Sequence, residues 1–115
     1  MAITPISSRD DILKRLGPPE VQRQLLDPSS TRVLNYAAVD QACLDATGEV
    51  QATLESKFKL YSDGNYPQRL KTFDAFIAVK CLYVILRVPV PADVMDNWRY
   101  ATATLAKIEA GETAP

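Results

Sequence analysis

Between Leu70 and Leu86, apolar side chains occupy almost every face of the chain. Leu70, Phe73, Ile77, Cys81 and Val84 recur as one stripe of a 3.6-residue period. Phe76, Val79, Leu82, Tyr83, Ile85 and Leu86 fill most of the rest. A helix that is apolar nearly all round must be covered on more than one side. In a chain of 115 residues, part of that cover is expected from another subunit. Leu82 to Val90 is rich in β-branched residues and also fits a strand, but continuity with the stripe decides for helix. The run from Ala75 to Leu86, interrupted by Lys80, is too short to cross a bilayer, which takes about 20 apolar residues.

The remaining chain supplies helices to pack against this one. Tyr36, Val39, Cys43, Ala46, Val50, Leu54 and Phe58 define a long amphipathic helix, with Asn35 or Thr31 as its cap. Gly48 inside it fits close helix packing better than a hinge. Leu44 sits alone among the polar residues and is a candidate subunit contact. Ser8 can cap a short helix that ends at Gly17, with Asp11 completing a small capping box. Pro19 opens a second short helix, from Glu20 to Leu26. Tyr61 to Tyr66 contains Asp63-Gly64 and is expected to be a loop, with Pro67 opening the apolar helix. After the rigid Val88-Pro89-Val90-Pro91, the stripe Val94, Trp98, Ala101, Leu105 and Ile108 forms the last helix, stopped by Gly111. The expected fold is all-α and spans residues 1–115 as one domain. It is a small bundle of three to four main helices plus a short N-terminal helix, with a loop between the two long helices. The ends, about residues 1–7 and 110–115, are expected to be flexible.

Composition removes most catalytic chemistry. There is no histidine, which excludes Ser-His-Asp and Cys-His catalysis and histidine-ligated metals. Two cysteines cannot build a Cys₄ zinc site. Cys43 and Cys81 both fall on apolar faces and are read as buried free thiols of a reducing compartment. No Gly-rich phosphate loop or nucleophile elbow is present. Asp10-Asp11 is the sole adjacent carboxylate pair, and helix capping explains it. No enzymatic activity and no cofactor are expected. The opening residues lack the basic and apolar regions of a signal peptide, so a cytoplasmic site of synthesis is expected.

Charge is uneven. Residues 57–87 carry Lys57, Lys59, Arg69, Lys71, Lys80 and Arg87 against Asp63 and Asp74, whereas the flanking stretches are acidic and the whole chain is −1. The basic segment reads either as solvated helix ends or as a rim facing DNA or an acidic partner. On the second reading the candidate contact residues are Lys57, Lys59, Tyr61, Tyr66, Arg69 and Lys71.

Three stretches, in order, resemble the small helical head-tail connector proteins of tailed phages, the Mu-like neck proteins in particular. The first is Ser7 to Gly17, similar to a short first helix ending in Leu-Gly. The second is Ala42 to Leu54, similar to the family's long helix, with Lys57-Phe58 where the family often has Arg-Tyr. The third is Arg99-Tyr100 to Gly111, similar to its closing helix. The chain departs from the pattern at Thr53, in place of an aromatic, and in its Tyr61–Pro67 loop.

The resemblance implies a structural adaptor in the virion neck. Such proteins form a ring of about twelve subunits below the portal and extend the DNA channel. The implied partners are further copies of the chain, the portal protein, and the next neck or tail-terminator protein. Genomic DNA would pass without sequence-specific contact. The resemblance also implies that Glu109, Ala110, Gly111, Glu112, Thr113, Ala114 and Pro115 form a tail that orders on docking to the portal. The alternatives are a helical DNA-binding regulator and a small inhibitor of a host protein. Against the first, neither short helix carries a basic recognition face.

Overall fold

The computed structural model describes residues 5–27, 34–54 and 66–112. Five helices and no strand are present among them: α1 Arg9–Leu16, α2 Pro19–Leu26, α3 Tyr36–Thr53, α4 Gln68–Ile85 and α5 Ala92–Glu109. Two are short and three are long. The all-α expectation therefore holds, and the β-branched end of α4, read as helix from its continuity with the stripe, is helical as far as Ile85. Phe58 and the Tyr61–Tyr66 turn, up to Asn65, lie outside the described residues.

Local chemistry sets the ends of the helices. Ser8 Oγ accepts from the Asp11 amide at 3.3 Å, and Asp11 Oδ2 accepts from the Ser8 amide at 2.9 Å. These bonds satisfy donors that the first turn of a helix leaves open. Gly17 ends α1 with φ of 109°, a backbone that a side chain would strain. Gln22 then ties α2 to α1, donating to the carbonyls of Leu13 and Gly17 at 3.0 Å each. Asn35, not Thr31, caps α3, accepting from the Ala38 amide at 3.2 Å. The helix runs unbroken through Gly48.

Helix α4 is the centre of the bundle, packed by α3, α5 and α1. Leu70, Phe73, Ile77, Ala78 and Leu82 are buried on it. Val39, Ala42, Ala46 and Val50 of α3 join Ala101, Leu105 and Ile108 of α5 and Ile12 of α1 in the same core. The chain's own helices cover these residues, whereas Phe76, Cys81, Tyr83, Ile85 and Leu86 are partly buried. One stripe position departs from expectation: Val84 is 53% exposed.

Helices α4 and α5 end in the same way. The Val88 amide donates to the Tyr83 carbonyl and the Arg87 amide to the Val84 carbonyl, both at 3.1 Å. The corresponding bonds of α5 run from Glu112 to Lys107 at 2.9 Å and from Gly111 to Ile108 at 3.0 Å. This crossed pair needs a left-handed residue at the position after the cap. Gly111 fills it in α5 with φ of 78°, whereas Arg87 fills it in α4 with φ of 57°. Residues 110–112 thus form the closure of the last helix. The Ile6 amide donates to Thr47 Oγ1 at 2.9 Å, and Ser7 is buried.

Two stability predictions follow from this packing. Arg87→Gly relieves a strained backbone and is expected to raise stability by about 1 kcal/mol, read as a higher thermal midpoint. Ile12→Ala removes the fully buried side chain that seats α1 and is expected to cost about 2–5 kcal/mol in denaturant unfolding.

Candidate functional site

The expected contact residues do not form one cluster. Lys57, Lys59 and Tyr61 lie outside the described residues. Tyr66 is half-buried just before α4 and packs against the core. Arg69 is exposed on the first turn of α4, with its guanidinium carbon 5.4 Å from the centre of the Phe73 ring. Tyr100 of α5 meets Phe73 edge-on at 5.6 Å and is 55% exposed.

Lys71 takes part in a different arrangement. It lines a groove of about 450 Å³ between α1 and α4, together with Lys14 and Arg15 of α1 and Gln68 and Thr72 of α4. Lys14 and Arg15 are the residues that sequence reasoning missed. In one dimension they are the basic last turn of a capped helix, where cations offset the helix dipole. Only the docking of α1 beside the start of α4 brings them to Lys71. The Arg15 guanidinium also lies over the Phe76 ring at 5.1 Å, which fixes its direction.

Helix α3 has the opposite character. It carries Asp40, Asp45 and Glu49 and no basic residue. Asp40 is engaged by Arg9, with Nε to Oδ1 at 3.0 Å and Nη2 to Oδ2 at 2.6 Å, and Arg9 lies over the Tyr36 ring at 4.6 Å. That hydrogen bond holds the Asp40 carboxyl below the usual carboxylate range. Asp45 accepts from the neutral amide of Gln41 at 2.8 Å. Leu44, the expected subunit contact, is exposed on the same helix between these residues.

A second feature missed from sequence lies beneath the groove. Asp74 is fully buried on α4, and its Oδ2 accepts from Thr47 Oγ1 at 2.9 Å. Thr47 in turn accepts from the Ile6 amide, so one buried chain of hydrogen bonds joins the N-terminal strap, α3 and α4. Asp74 Oδ1 is buried without a hydrogen-bond partner. Burial pushes this carboxyl up, against the pull of Ser7 and Thr47. Its position, four residues from both Leu70 and Ala78, is the signal that pointed inward.

Neither cysteine is a ready nucleophile. Both are free thiols, and burial pushes each up to about 11. The field of Glu49 adds to the shift at Cys81. No group of three potential metal ligands exists among the described residues. None of the described helices is long and apolar enough to cross a membrane. At the C-terminal end, Glu109 is half-buried and Ala110, Gly111 and Glu112 form the helix closure, while Thr113, Ala114 and Pro115 lie outside the described residues.

What the fold presents is a small helical protein with two oppositely charged surfaces. Residues 7–114 match the sequence profile of the family described as Bacteriophage Mu, Gp36, and the chain belongs to that bacteriophage family. No curated protein and no solved structure matches the chain.

The buried carboxyl gives a pH prediction with a definite sign. Its folded-state affinity for the proton exceeds that of the unfolded chain, so its contribution favours folding below about pH 4 and is lost as pH rises through the folded value. Asp74→Asn is therefore expected to gain stability relative to the wild type as pH rises from 4 to 8, in paired denaturation curves. A gap that stays constant over that range would count against a buried, titrating carboxyl.

Proposed function

We propose that the protein is a structural head-tail adaptor of a tailed bacteriophage. It assembles as a ring of about twelve subunits below the portal, extends the DNA channel and joins the head to the tail. Its place is the virion neck, after synthesis in the bacterial cytoplasm. The observation that carries this reading is the family match, which takes in all five helices and leaves only the first six residues and the last one outside.

Several features support the reading. The bundle is closed by its own core, so a copy can fold before it assembles. Its surface offers a basic groove and an acidic helix face, as a subunit with two different neighbours requires. The role is non-enzymatic and uses no cofactor. The partners are other copies of the chain, the portal protein, and the next neck or tail-terminator protein. DNA passes through the ring without base-specific contact. The basic residues Lys57, Lys59, Arg69 and Lys71, with Tyr61 and Tyr66, serve as a channel or partner surface, and residues 109–115 as a portal-docking tail. The basic groove alone would favour a helical DNA-binding regulator as the second reading.

The test is a pull-down with the portal protein of the same phage, followed by negative-stain imaging and native mass measurement. Stoichiometric capture as a closed ring with a central hole is the expected outcome. Absence of portal binding, together with salt-dependent binding to short duplexes, would replace the adaptor with the regulator.

A further inference from the structure

We infer that the basic groove between α1 and α4 receives the acidic outer face of α3 from a second copy of this chain. The inference rests on the adaptor reading for its ring and goes beyond it in naming the two surfaces that meet.

The argument begins with unsatisfied charge. Lys14 and Lys71 line the groove, and neither makes an ion pair with any described residue. Arg15 also lines the groove, at its edge, with its guanidinium over Phe76 on the side towards α5. One carboxylate is present, that of Asp11, which lies in the field of Lys14 and Arg15 and offsets one of the cations. The groove therefore has surplus positive charge, with the hydroxyl of Thr72 and the amide of Gln68 beside it.

The complementary surface lies on α3. Arg9 of the same copy takes Asp40, but nothing cationic among the described residues takes Asp45 or Glu49. These carboxylates stand one helical turn apart on α3, Asp45 exposed and Glu49 half-buried, and the exposed Leu44 directly precedes Asp45. Leu44 is 37% exposed, an apolar contact beside these charges. Cations on one surface and carboxylates with an apolar centre on the other are what a specific docking surface needs, since charge fixes register and apolar burial supplies affinity.

The two surfaces share no residue. A pairing between different surfaces is head-to-tail, so each added copy leaves one groove and one acidic face open. Such a contact closes into a ring if its rotation allows, whereas a surface that meets itself stops at a dimer. Charge complementarity within one sequence thus favours a second copy as occupant over DNA, which would match the groove but leave the acidic face of α3 unused.

A charge-swap experiment on the full-length protein tests the pairing. One variant carries Lys14→Glu and Lys71→Glu, and the other carries Asp45→Lys and Glu49→Lys. Lys71→Glu alone is a milder control, because a carboxylate suits the first turn of α4. Circular dichroism and thermal melting establish that each variant is folded. Self-association is read by sedimentation velocity over a concentration series at low and high salt.

The wild type is expected to self-associate, more weakly at high salt. Each double variant alone is expected to associate at least about tenfold more weakly. Mixed in equal amounts, the two double variants are expected to regain association, because each contact in the mixture again pairs opposite charges. Folded variants that associate as the wild type does would overturn the pairing, as would a mixture that fails to associate. A wild type that stays monomeric at every concentration also overturns it. Portal capture of the wild type separates these failures from failure of the adaptor reading. A bound portal with charge-insensitive association removes only the pairing, and no binding to either removes both. Capture of duplex DNA by the wild type, abolished by Lys71→Glu, would assign the groove to nucleic acid instead.

Discussion

Burial of α4 on three sides is the constraint on which the rest of the structure depends. This helix has too few polar positions to face water along its length, so the chain must wrap it. Helix α3 covers one side with Val39, Ala42, Ala46 and Val50, and α5 another with Ala101, Leu105 and Ile108. The third is left to α1, a helix of eight residues that holds its place through Ile12 and Leu16. A helix this short is marginal by itself in water. Its capping box, its glycine stop and its buried residues make it part of the fold, and its docking sets the basic groove.

The same wrapping creates the one costly polar feature of the interior. Asp74 lies where α3 and α4 meet and where the N-terminal strap crosses. A buried carboxyl is unfavourable unless hydrogen bonds compensate it, and here Thr47 supplies one and relays to Ile6. The strap is fixed by this chain of bonds, and it leads directly into the Ser8 cap of α1. A polar contact in the core therefore bears on the placement of Lys14 and Arg15 at the surface. Family membership places these features in a bacteriophage protein.

The elements were legible in the sequence because their signals are local. Ser8, Asp11, Gly17, Pro19 and Gly111 act on the backbone within one turn, and each stands where its chemistry predicts. The stripe of α5 needs only periodicity. Where periodicity is nearly saturated, as in α4, it cannot tell which apolar residues stay outside, so Val84 was assigned to the core and is exposed. In sequence Arg87 is one more basic residue, because nothing in its neighbours announces a left-handed backbone. The expected contact residues followed charge along the chain, but Lys71 meets Lys14 and Arg15, more than fifty residues away in sequence.

The sequence by itself determined the helical type of the elements, the caps and stops of α1 and the stop of α5, and the absence of histidine chemistry. These depend on interactions between residues at most about four positions apart, or on composition. The tertiary structure alone decided that the chain's own helices cover α4, that Asp74 is buried with Thr47, and that a basic groove forms where α1 crosses α4. These depend on the angle and depth at which helices pack. Those are set by the fit of side chains from distant segments, which no local pattern encodes.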